Sequence, residues 1–155
     1  MKAIFVVYML ILGTGIGGVL TLGVFVAPVV FNANLFINEP TMSLLDSGMI
    51  MSEVFYRFGI FLNFVALSII SYEGYMIYLK KHSLTPLVFA TVSVVCIGLF
   101  TLYFTPYVLE AQQHGLEGIT SQRFETIHKL AELDFKVLLG ALVGLFGYRL
   151  VKLST

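Results

Sequence analysis

Glu125, the adjacent His128 and Lys129, Glu132 and Lys136 recur at intervals of three or four residues. On a helix that spacing gathers them within about a third of the circumference, with Asp134 pointing the other way. Carboxylates beside a neutral imidazole suit a hard or borderline cation. The alternating signs suit a structural ion-pair network equally well. Arg57 and Asn63, with Glu53, lie at a comparable depth in an earlier apolar segment. A guanidinium binds a carboxylate through two parallel bonds, so Arg57 is the expected partner of Glu125 or Glu132. The expected polar or ligand-binding network is therefore Arg57, Asn63, Glu125, His128, Glu132 and Lys136, with no residue assigned a catalytic role.

Glu125-x-x-His128 has the spacing of one arm of a carboxylate-bridged dimetal site. No second arm matches it: Glu110-x-x-x-His114 is spaced differently and falls at a helix end. A single metal ion would be held by His128, Glu125 and Glu132, with His114 in reserve, and no cofactor is firmly implied. A haem needs two buried histidines, and only His128 lies within an apolar span. His82 reads as an interfacial loop residue. Cys96, the one cysteine, reads as a small core residue.

The elements that carry these residues are membrane helices. The chain has 155 residues, is 58% hydrophobic and 12% charged, and its mean hydropathy is +0.94. A water-soluble domain of this size could not hide that much apolar surface. The net charge of zero offers nothing to nucleic acid. The hydropathy pattern predicts an all-α, four-helix transmembrane bundle, one integral membrane domain over residues 1–155, with spans at about 3–31, 55–79, 84–109 and 124–151. The fourth is the informative one. Its uncharged part, Val137 to Tyr148, covers only about 18 Å as a helix, against about 30 Å of bilayer core. It must draw in Glu132, Asp134 and Lys136, and charges that deep face a bundle interior or a wet cavity.

Lys2, the Lys80-Lys81 turn, Arg149 and Lys152 all fall at one end of the predicted bundle. By the positive-inside rule that end, with both termini, faces the cytoplasm, and the chain sits in a cell membrane (the inner one in a bacterium). Ser43-Leu44-Leu45-Asp46, after Pro40, fits a capping box, so the second helix starts well ahead of its span; Thr120 or Ser121 caps the fourth. Glu73 reads as solvated at the interface, with Arg149 or Lys152 as the alternative partner. Tyr72, Tyr75, Tyr78 and Tyr148 read as an aromatic belt. Gly13-x-x-x-Gly17 and Gly140-x-x-x-Gly144 are expected to pack helices within the bundle or at a seam with a second copy or a larger membrane complex. Pro28 and Pro106 are expected to kink or end their helices.

A faint internal repeat pairs Phe25-Val26-Ala27-Pro28-Val29-Val30 with Tyr103-Phe104-Thr105-Pro106-Tyr107-Val108, and Ser52/Phe55 with Ser121/Phe124. It suggests two tandem helix hairpins of the same orientation.

Gly23-Val24-Phe25-Val26-Ala27-Pro28, Arg57-Phe58 followed by Asn63, and Phe124-Glu125-Thr126-Ile127-His128-Lys129-Leu130 resemble the domain-of-unknown-function family that includes transmembrane protein 205. That family is distantly similar to the membrane domain of copper-resistance protein D. The resemblance implies a small four-span protein without an assigned activity, and a metal-related role only through the copper link. The chain lacks the clustered His and Met ligands of a copper handler. It also lacks the span-one histidine of haem-binding relatives such as the membrane protoporphyrinogen oxidase. The expected function is handling of a small solute or cation at an outward-facing polar site between helices two and four, more a binding or transport role than an enzymatic one. An accessory subunit of a larger membrane complex is the second reading, and a haem- or metal-dependent oxidoreductase the third.

Overall fold

The computed structural model describes residues 2–36, 42–81 and 83–152. Glu39, Pro40 and His82 lie outside them. Four long helices account for most of the described residues, with short helical turns at Ala33–Leu35 and Gly115–Ile119 and no strand among them: α1 (Lys2–Phe31), α2 (Leu44–Tyr78), α3 (Leu84–Gln113) and α4 (Gln122–Val151). The first three are long and apolar enough to cross a membrane, and point to a membrane protein. The sequence suggested four spans, but α4 does not qualify on composition. Any stretch of it long enough to cross takes in charged side chains.

Local signals set the helix ends. Ser43 Oγ accepts from the Asp46 amide at 3.1 Å, and the Ser43 amide donates back to Asp46 Oδ2 at 2.9 Å. That is the capping box, and it satisfies donors the first turn would leave orphaned. The bonds from the Ser43 hydroxyl and amide hold the Asp46 carboxyl below its usual range. Ser121 caps α4 through the Phe124 amide at 3.2 Å. α2 closes with Lys80 at φ 56°. The Lys81 amide reaches back to Met76 and the Lys80 amide to Ile77; this is the Schellman ending, with lysine where glycine is usual.

Both α1 and α3 contain one wide turn, at Thr21–Val26 and Phe100–Phe104. Each lies just ahead of a proline. Pro28 and Pro106 have no N–H to donate, and the residue before each donates five back: Ala27 to Leu22 and Thr105 to Phe100. The widening lets both helices continue beyond their prolines, where the sequence had suggested kinks or ends. The same number of residues separates Pro28 from Pro106 as Ser43 from Ser121. The cap of α2 matched to that of α4 is thus Ser43, one helical stretch earlier than the Ser52 match read from sequence.

The helices form a closed ring. α1 packs on α2 and α4, and α3 packs on the same two, so α1 faces α3, and α2 faces α4, across the diagonal. Leu12, Leu62, Val65, Leu138, Leu142 and Leu145 fill the axis. Between the four long helices, close approach is needed at two of the described glycines. A Cβ on Gly18 would fall 2.5 Å from the Phe58 ring, and one on Gly144 2.6 Å from the Phe89 ring. Gly13 is looser, 3.7 Å from Phe146, while a Cβ on Gly17 or Gly140 would meet nothing within 4 Å.

Candidate functional site

The charged stripe on α4 is satisfied locally. Lys129 bonds Glu125 at 2.6 Å and Lys136 bonds Glu132 at 2.6 Å, each one turn along the same helix. Arg57 does likewise with Glu53 at 2.7 Å. The Arg57 bridge to Glu125 or Glu132 does not form, because α2 and α4 stand diagonally and Glu53 is one turn away. Asn63 Oδ1 accepts from the Thr101 hydroxyl at 3.2 Å. His128 stacks on Phe124, with ring centroids 5.8 Å apart. Glu125, His128 and Glu132 do not converge: among the described residues no three His, Cys, Asp or Glu side chains are grouped to hold a metal ion.

Beside this stripe lies a cavity of about 660 Å³. It occupies the distal half of the bundle, away from the Lys80-Lys81 turn, and all four helices contribute to its wall. Its deepest residues include Phe55, Phe100 and Phe135, whose rings pack on one another with centroids 5.3–5.6 Å apart. These three aromatic rings close the floor. Higher up, Gly23 and Ala27 of α1 and Phe104 and Val108 of α3 line the wall. Polar groups are few: Thr105, Gln112, which donates to Ser52 at 2.8 Å, and His128, Glu132 and Lys136 on α4. The expected site was polar and lay between helices two and four. The cavity is instead mostly apolar and is shared by four helices, and Arg57, Asn63 and Glu125 are not in its wall.

A second polar constellation lies at the proximal end, where the sequence placed Glu73 in solvent. Glu73 is buried, 5% exposed, and forms an ion pair with Arg149, itself 4% exposed. Arg149 Nε donates to Glu73 Oε1 at 3.1 Å, its NH2 group donates to Oε2, and the Tyr8 hydroxyl donates to Oε1 at 3.0 Å. Tyr8 stacks on Tyr72 at 4.0 Å, and the guanidinium lies 5.3 Å from the Tyr72 ring centre. Tyr72 is therefore part of this cluster rather than of an aromatic belt; Tyr148 donates to Ser83 at 2.9 Å. A carboxylate in this setting is stable because each lone pair in use meets a donor. The sequence contained the signal, two opposite charges in or beside apolar runs, and Arg149 was one of the two alternative partners it offered for Glu73.

The third polar feature is Asp134. It turns into the α3–α4 contact beside the buried Cys96 thiol, and its Oδ2 has no hydrogen-bond partner. A family described as a domain of unknown function (DUF4149) matches residues 10–117, from α1 into the short helix Gly115–Ile119 that follows α3. No curated protein and no solved structure matches the chain.

Proposed function

The chain belongs to the DUF4149 family, and from the geometry of its cavity we propose that it is a four-span membrane protein that takes up a small, largely apolar molecule. The observation that carries this reading is the distal cavity with its floor of Phe55, Phe100 and Phe135. Its volume falls in the range of small-molecule sites, which pair apolar walls with a few polar groups that orient the ligand. Gln112 and His128 would receive a polar end. A bare cation would leave most of this wall without a partner and would lose hydration without replacement. The solute is thus one with an apolar body. α4 completes the bundle as the fourth span, both termini and the Lys80-Lys81 turn face the cytoplasm, and the cavity opens on the other face.

Gly23 offers the test. It lines the cavity, and a side chain there would grow into open space. Gly23→Leu should fill part of the cavity without disturbing the fold. Wild-type protein extracted into lipid nanodiscs is expected to retain a small molecule detectable by mass spectrometry. The variant should retain at least tenfold less, at an unchanged melting temperature. Equal retention by both proteins would reject the cavity as the site.

A further inference from the structure

α4 presents to the outside of the bundle a stripe that lipid would not accept. Glu125, Lys129, Glu132, Lys136, Gly140 and Gly147 lie within about a quarter of the helix circumference. They face away from Ile127, Leu138 and Leu145, which turn inward. The four charged side chains are 60–72% exposed. A Cβ on Gly140 or Gly147 would meet nothing within 4 Å, so these glycines relieve no crowding inside the chain. Lys136 is about 18 Å along the helix from Tyr148. With Tyr148 near one interface, the Glu132–Lys136 pair falls well short of the opposite side of a bilayer core about 30 Å thick. Charged pairs at that depth need cover.

We propose that the cover is a second copy of this chain, packed α4 against α4 about an axis parallel to the bundle. Two features select that occupant. The stripe is self-complementary in charge: in parallel helices, Glu132 of one copy comes within a turn of Lys129 or Lys136 of the other. The ion pairs now closed within each helix can then be shared across the interface, as charges flanking a coiled-coil seam are. Below them, Gly140 and Gly147 let the two backbones approach closely, the usual means of helix association in lipid. This inference rests on the reading of α4 as the fourth span and does not depend on what the cavity holds.

Cysteine cross-linking of the full chain in its membrane tests it, in a Cys96→Ala background. Gly140→Cys and Val143→Cys, both on the exposed side of α4, should form disulfide-linked dimers on mild oxidation. Leu102→Cys, exposed on α3, should stay monomeric. No cross-link at either α4 position, equal cross-linking at Leu102, or a cross-link to a different protein would each overturn the proposal. In mild detergent, Gly140→Leu/Gly147→Leu should convert a dimer to a monomer by native mass spectrometry, with the melting temperature of the monomer fold retained. A dimer that survives both substitutions would also overturn it.

Discussion

Removing Arg149 should do far more damage than removing it together with Glu73. Arg149→Leu leaves the Glu73 carboxylate 5% exposed with the Tyr8 hydroxyl as its remaining strong donor. Breaking a buried pair from one side costs about 3–5 kcal/mol, because the surviving charge stays desolvated. Glu73→Leu/Arg149→Leu removes both charges and leaves side chains of moderate volume against Tyr72. Such paired replacements are often neutral or stabilising by about 1–4 kcal/mol. The double variant should therefore recover most of what the single one loses. Tyr8→Phe gives the scale, since one hydrogen bond to a charged acceptor is worth about 1.5–3 kcal/mol. Denaturant titration in a fixed detergent, followed by circular dichroism, compares the wild type with Arg149→Leu, Glu73→Leu, the double variant and Tyr8→Phe. Additive losses in the double variant, or an Arg149→Leu loss below about 1 kcal/mol, would refute the assignment of this cluster as a sealed ion pair.

Three further outcomes follow from the helix ends and contacts. The Asp46 carboxyl titrates lower when folded, so the capping contribution is complete above its unfolded value and is lost as pH falls through the folded one; Asp46→Asn should flatten stability between these limits in an acid titration. Lys80→Gly relieves a left-handed lysine and should stabilise by about 1 kcal/mol, read as a higher denaturation midpoint; an unchanged midpoint counts against the Schellman ending. Gly18→Val should cost about 1–3 kcal/mol through the Phe58 ring, whereas Gly17→Val, which meets nothing, should be near neutral when the two melting curves are compared.

The sequence shows features decided within a few residues. The Ser43–Asp46 box is one, the Ser121 cap another, and the apolar runs that became α1, α2 and α3 a third. Pro28 and Pro106 were visible as a repeat, but not the wide turns that carry the helix past them, which depend on where the freed carbonyl finds its donor. Charge partners were legible only where the choice is local. Arg57 chose Glu53 over an acid on α4 because ring order puts α2 and α4 on a diagonal, and no local spacing encodes ring order. Glu73 and Arg149 were both conspicuous, yet their meeting is a property of how four helices close. The cavity was the least legible feature. It is space that Val19, Phe55, Phe100 and Phe135 bound but do not fill, and a residue pattern records what is present.

The Glu73–Arg149 contact also bears on how the molecule is made. Its two members are 76 residues apart, so at ordinary rates of synthesis the acid waits about 4 to 15 s for its base. During that wait the Tyr8 hydroxyl, already synthesised, is the donor at hand. The early helical hairpin can thus shelter its carboxyl until the last helix brings the guanidinium, and the order of chain growth matches the order in which the carboxyl acquires its partners.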